Sequence, residues 1–176
     1  LKHQELPKTK GKTMNPDERT ITLTMIMEPN QANVYGNVHG GEIMRFMDTT
    51  AGCTAIRYAK RNCVTARVDE LQFLKPVHIG NFVTCKGTVV YTGTTSLEVR
   101  VTVDTEDIRD KSSKGRAIEA YFTLVALGDD ERPTPVPVYT PETEREKELY
   151  EHVKTRREFD RERHEAAKKR AEKNAD

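Results

Sequence analysis

Long hydrophobic runs are missing from this sequence, and so is any surplus of charge of one sign. The longest apolar stretches, such as Leu124 to Leu127, fall far short of the ~20 residues that cross a bilayer, so no membrane span or membrane partner is expected. Lys plus Arg number 29 against 28 Asp plus Glu, for a net charge of +1, which leaves no overall field to hold nucleic acid. Cysteine is scarce and odd in number. Cys53, Cys63 and Cys85 show neither CxxC nor Cys/His spacing, which argues against a disulfide framework and a zinc site and fits a reducing, cytoplasmic setting. The opening LKHQELPKTKGKTMNPDER has charges without an apolar h-region, so it reads as a disordered or extended lead-in rather than a secretory signal.

What is there suits one core with an appendage, since 176 residues are too few for two sizeable cores. A hydrophobic fraction of 35% and a charged fraction of 32% depart from globular averages in opposite directions, so some segment must be nearly all polar. Four zones result: a lead-in at 1–19, a folded domain at 20–128, a Pro-rich linker at 129–140, and a charged tail at 141–176. In the tail 11 basic residues balance 11 acidic ones. Thr140 and Pro141 form a good N-cap and N1 pair, and Leu149, Val153 and Phe159 are the main apolar anchors. The tail is therefore expected to be a solvated helix held by i,i+4 ion pairs, not a nucleic-acid contact.

Within the domain, Thr20 to Met27 alternates Thr with Ile, Leu or Met, the period-2 pattern of a half-buried strand. From Gly40 to about Arg61, Ile43, Phe46, Met47, Ala51, Ala55 and Tyr58 recur at three- and four-residue steps and share one helix face. Strands are predicted at Val64 to Leu74, Asn81 to Thr92, Ser96 to Thr105 and Arg116 to Leu127. The order β, helix, four β implies an α+β fold: a mainly antiparallel sheet with one long helix against its apolar face.

The segment that invites chemistry is NVYGNVHGGEIMRFMDTTAG, residues 33–52. Gly40 and Gly41 sit where the helix begins, so unpaired amides and the positive end of the helix dipole point outward, suited to a carbonyl oxygen that turns negative during acyl transfer. Asp48 lies about two turns further on, in apolar or small surroundings. With ~1.5 Å of rise per residue, Gly40 and Asp48 are roughly 12 Å apart along the axis. Asp48 therefore cannot act on a carbonyl held at its own helix start. Two antiparallel helices across a two-fold axis would place each Asp48 near the other chain's Asn37 and Gly41, which makes a dimer the expected catalytic unit. His39 has no G-x-S-x-G or triad partner and is read as helix-start packing or hydrogen bonding.

The pattern N-V-H-G-G-x-I-M-x-x-M-D, followed by T-A-R-V-D-E-L-Q-F-L-K-P-V and G-T-T-S-L-E-V-R-V, resembles the hotdog-fold acyl-CoA thioesterases, in particular the brain-type and YciA-like group. The resemblance covers about 20–128. It implies a hotdog fold, with the antiparallel sheet wrapped around the long helix, and a homo-oligomer, with trimers of dimers (homohexamers) common. It implies hydrolysis of acyl-CoA to a fatty acid and CoA, so coenzyme A is part of substrate and product and no cofactor or metal is needed. The paired Asn and Asp of the family fall on Asn37 and Asp48, Asp48 as base or nucleophile and Asn37 from the partner chain. The Gly40 and Gly41 amides would stabilise the oxyanion. His39, Arg67, Lys75, Thr95, Ser96, Lys114 and Arg116 are candidates for contacting the substrate, the basic ones through CoA phosphates. Met44, Met47, Phe73 and Phe82 are candidates for lining an acyl tunnel. A dehydratase does not suit the His39 and Asp48 arrangement. The alternative of another class is a non-catalytic acyl-CoA sensor, for which only the C-terminal helix could serve as effector.

Overall fold

The computed structural model describes residues 18–173, and the side chains of all of these except 111 and 164–173. Most of the lead-in expected at 1–19 lies outside the described residues. Five strands and two long helices follow in the order β1 (Thr20–Ile26), α1 (Gly40–Ala59), β2 (Asn62–Phe73), β3 (Phe82–Thr92), β4 (Ser96–Asp107), β5 (Asp110–Leu127) and α2 (Glu144–Lys173). They form one sheet in the order β1-β3-β4-β5-β2, every neighbouring pair antiparallel. This is the α+β architecture that the element order implied and the hotdog fold that the resemblance implied. β3, β4 and β5 follow one another through short connections, whereas α1 carries the chain from one edge strand, β1, to the other, β2. That crossover leaves β2 with a partner strand on one side only among the described residues.

α1 lies on the inner face of the sheet. Ile43, Met47, Thr50, Ala51, Thr54, Ala55, Tyr58 and Ala59 are buried there, facing Leu97, Val99, Val101 and Val103 from alternate positions of β4, as strand periodicity demands. One close approach depends on glycine. A Cβ on Gly87 of β3 would lie 2.4 Å from Thr54 Oγ1, inside van der Waals contact, so only a residue without a side chain lets α1 sit this near the sheet. Lys60, in the left-handed conformation at φ 54, ends the helix.

α2 departs from expectation in two ways. It begins at Glu144, not at Pro141, because Thr143 rather than Thr140 supplies the cap. Glu146 N donates to Thr143 Oγ1 and Glu146 Oε2 accepts from the Thr143 amide, a reciprocal pairing that satisfies amides at a helix start. Nor is it merely solvated. It lies on the outer face of the sheet, where Val153 is fully buried with Val90 and Tyr121, and Leu149 and Tyr91 pack against them. Phe159 is not an anchor; it stays 64% exposed. Beneath the helix Glu98 of β4 is completely buried. Its carboxylate accepts from Thr123 Oγ1 and Arg156 Nη2 and lies 3.6 Å from Arg157 Nη1. The Arg156 guanidinium stacks over the Tyr121 ring, 4.5 Å from its centroid. Buried Arg19, just before β1, reaches Glu142 and Glu146 and ties the start of α2 to the sheet.

Candidate functional site

The turn before α1 is organised by Asn33. Its Oδ1 accepts hydrogen bonds from the amides of Tyr35 (2.9 Å) and Asn37 (3.2 Å), while its own amide donates to Asn37 O and its carbonyl accepts from Gly36 N. Gly36 supplies the positive φ of 79° that closes the loop. Both acceptor contacts fall on the side-chain oxygen, and the Asn33 Nδ2 amide has no partner among the described residues. Asn37 works here through its backbone, which also bridges to His78.

His39 caps α1: its Nδ1 accepts from Gly41 N at 3.0 Å. This satisfies the Gly41 amide, one of the two expected oxyanion donors. The Gly40 amide has no partner among the described residues and faces outward at the positive helix end. The Phe73 ring closes over it, since a Cβ on Gly40 would lie 3.3 Å from Phe73 Cζ.

Asp48 sits on the exposed face of α1. Neither neighbour expected to pair with it does so: Arg45 pairs with Glu42 at 2.8 Å, and Thr49 Oγ1 donates to Arg45 O. Instead Thr65 Oγ1, from β2, donates to Asp48 Oδ1 at 2.7 Å. Sequence reasoning missed Thr65, which is the first residue of the T-A-R-V-D motif but gives no local sign of facing α1. Among the described residues no hydrogen bond joins Asp48 to the loop at Asn33–Asn37. Around Asp48, the exposed residues of α1 include Met44 and Ile56, and those of β2 include Val64 and Val68.

The expected substrate contacts divide into two groups. Arg67, Thr95 and Ser96 line a cleft of about 810 Å³ between α2, β2 and the β3–β4 turn, with Lys154, Arg157 and Arg161 from the helix. There Arg67 is held by Asp69 and Asp160, and Ser96 Oγ accepts from Arg157. Lys75, Lys114 and Arg116 cluster near the start of β5. Lys75 donates to Ser113 O, Lys114 lies 3.5 Å from Glu106, and Arg116 pairs with Asp104 and Glu119. Gly115 beside Lys75 and Thr123 opposite Arg67 are eight residues apart on β5, roughly 26 Å at ~3.3 Å per residue. One head group on one chain cannot engage both groups closely. Of the tunnel candidates, Met47 is fully buried in the core, whereas Met44 and Phe73 are 43% and 50% exposed. Among the described residues no cluster of three or more His, Cys, Asp or Glu is disposed to hold a metal ion, and no helix is long and apolar enough to cross a membrane.

A family model described as the thioesterase superfamily matches residues 35–112. The cytosolic acyl coenzyme A thioester hydrolase of Rattus norvegicus is 38% identical over 149 residues, covering 81% of this chain and 39% of that protein. The chain thus spans well under half the length of that relative and of its mouse and human counterparts. An apo-hexameric acyl-CoA thioesterase superposes with a TM-score of 0.80 at 31% identity, covering 85% of this chain and 96% of that one. The acyl-CoA hydrolase of Staphylococcus aureus, solved with butyryl coenzyme A, coenzyme A and coenzyme A disulfide, has a TM-score of 0.78 at 31% identity, covering 92% and 98%. Variants of that enzyme replace an asparagine, an aspartate and a threonine by alanine; the asparagine stands fifteen positions before the aspartate and the threonine seventeen after it.

Proposed function

Since the chain belongs to the thioesterase superfamily, as a hotdog-fold member of its acyl-CoA hydrolase group, we propose that it hydrolyses acyl-CoA thioesters to a carboxylic acid and free coenzyme A. The observation that carries this is Asp48, a carboxylate at the middle of α1 whose only hydrogen bond among the described residues comes from Thr65. Asn33, Asp48 and Thr65 stand at the same two spacings as the three residues replaced in the Staphylococcus aureus enzyme. This spacing moves the asparagine's part from Asn37 to Asn33, four residues upstream, with Asn37 bracing the turn.

Each group then has a task. Thr65 holds Asp48 by Oδ1 and leaves Oδ2 to take a proton from water or to attack the acyl carbon itself. The Asn33 Nδ2 amide and the Gly40 amide donate to the thioester oxygen as it becomes negative, while His39 keeps the helix start rigid. The thiolate of coenzyme A departs and takes up a proton. A water-derived oxygen enters the product acid directly if Asp48 is a base and through a mixed anhydride if it is a nucleophile. Lys75, at the mouth beside Phe73, is the favoured phosphate contact; Arg67, already bound to two carboxylates, is the least suited.

The site is composite. Asn33 of one protomer meets Asp48 of its partner across a two-fold axis formed by the β2 edges and the exposed faces of α1, and three such dimers build a hexamer like that of the similar thioesterase. A cytosolic setting agrees with the name of the rat relative. Co-expressing Asp48→Ala with Asn33→Ala tests the arrangement. Each variant alone is expected to lose ~10² or more in kcat, and their random mixture to recover about a quarter of wild-type turnover, because half the dimers carry one intact site of two. No recovery, with both variants folded and mixed, would show that each site lies within one chain.

A further inference from the structure

We propose that Asp160 of α2 is a positioning residue for the reaction just assigned. Its ion pair with Arg67 holds the β2 bulge at Ala66 in the shape that aims the Thr65 hydroxyl at Asp48. The inference rests on the catalytic reading of Asp48 but on different observations. Along β2, Thr65 lies opposite Leu124 and Arg67 opposite Thr123, so Ala66 is the extra residue of a bulge. A bulge re-aims the side chains beside it. Among the described residues of one chain no strand lies across the open side of β2, so whatever bracing this chain gives the bulge comes from its covered side. The Arg67 guanidinium supplies it. Its Nε donates to Asp69 Oδ2 at 2.6 Å, two residues on in the same strand, and its Nη2 donates to Asp160. One guanidinium thus ties the strand just past the bulge to the helix.

Asp160 is itself well anchored. Within the two turns of α2 that precede it, Val153 is buried in the outer-face cluster and Arg156 and Arg157 reach the buried Glu98 carboxylate. Contacts therefore run unbroken from the sheet through α2 to Arg67, the bulge, Thr65 and Asp48. The Asp160 side chain is 16% exposed and that of Arg67 34%, so the pair is partly shielded from the solvent that makes most surface ion pairs worth little. The same pairing explains why Arg67 is poorly placed to bind a phosphate: its fork is already occupied by two carboxylates.

The test uses the full chain and steady-state hydrolysis of an acyl-CoA and of the matching acyl-pantetheine, which lacks the nucleotide. Asp160→Asn is expected to lower kcat about tenfold on both substrates, with KM within about twofold, the mark of geometry lost without binding lost. Asp160→Glu should restore most of the rate. In a Thr65→Ala background Asp160→Asn should cost nothing more, because the two residues act in series. Three results would overturn the proposal: losses that multiply in the double variant, a KM increase confined to acyl-CoA, or a fall in melting temperature with kcat unchanged. Asp48→Asn run alongside keeps the two claims apart. If turnover survives that change, the catalytic reading fails and this proposal with it; if turnover is abolished yet Asp160→Asn is silent, only the link from α2 fails.

Discussion

A carboxylate on the exposed face of a helix is ordinarily solvated and inert, and what distinguishes Asp48 from Glu42, one and a half turns away, is its partner. Glu42 is neutralised by Arg45, which holds its carboxyl below the usual range; the hydrogen-bond partner of Asp48 among the described residues is a hydroxyl, which steadies an anion without cancelling its charge. Because Asp48 is exposed within the chain, Asp48→Asn should remove activity while leaving the thermal midpoint within a few degrees, as surface substitutions generally do, at about ±0.5 kcal/mol. Circular-dichroism melts beside thiol-release assays would check this, and a collapse of both would make Asp48 structural. The cysteines invite a second test at this scale. Burial pushes the Cys85 thiol up to about 12 and that of Cys63 up to about 11, so neither offers a thiolate at pH 8. An aromatic disulfide reagent should titrate these two slowly in the native protein and all three cysteines at once in denaturant; rapid native reaction at Cys85 would contradict the packing.

At the scale of elements, α2 is a strap whose hold lies in one buried charge. Replacing Glu98 with Ala leaves Arg156 over Tyr121 with only the exposed Glu70 carboxylate, 3.5 Å from its Nη1, and breaking a buried pair from one side costs about 3 to 5 kcal/mol. Urea unfolding of Glu98→Ala should show a loss of that order, with Val153→Ala costing about 1 to 3 kcal/mol for the vacated apolar contact. Equal stability in the Glu98 variant would mean that α2 contributes little to the fold. The five strands and α1 were legible in the sequence because periods of 2 and 3.6 mark one buried face each. The docking of α2 was not. Glu98, Arg100, Thr102 and Asp104 alternate with apolar residues as a solvent-facing row does, and nothing local says that an arginine more than fifty residues away will cover Glu98. The asparagine was obscured for a similar reason. Asn33 and Asn37 are both turn formers in one glycine-containing loop, and only the hydrogen bonds gathered on the Asn33 oxygen, together with a relative's spacing, separate them. The bulge at Ala66, which turns Thr65 toward α1, leaves no mark in an alternation already interrupted by Ala66 and Arg67.

For the whole molecule, β2 is the feature that calls for a second copy. It is a twelve-residue strand with one side unpaired in the chain, and an open edge of that length is an invitation to pairing. Val64 and Val68 on it and Met44 and Ile56 on α1 are all between 38% and 45% exposed, an apolar margin on the two elements that carry Thr65 and Asp48. Val68→Lys places a charge at that margin and should shift the mass measured by light scattering toward the monomer, with thioesterase activity falling in parallel. A fully active monomer would rule out the shared site.

Gly87 links the interior to the chemistry in a way neither region reveals alone. Thr54, which presses on it, and Asp48 ride the same rigid rod, six residues apart and on opposite sides. Any wedge inserted at position 87, even a methyl, would pry α1 outward and draw Asp48 off the Thr65 hydroxyl. The spacing between helix and sheet is thus set at a position remote from Asp48, and a change there would unsettle the proposed site without touching any residue in it.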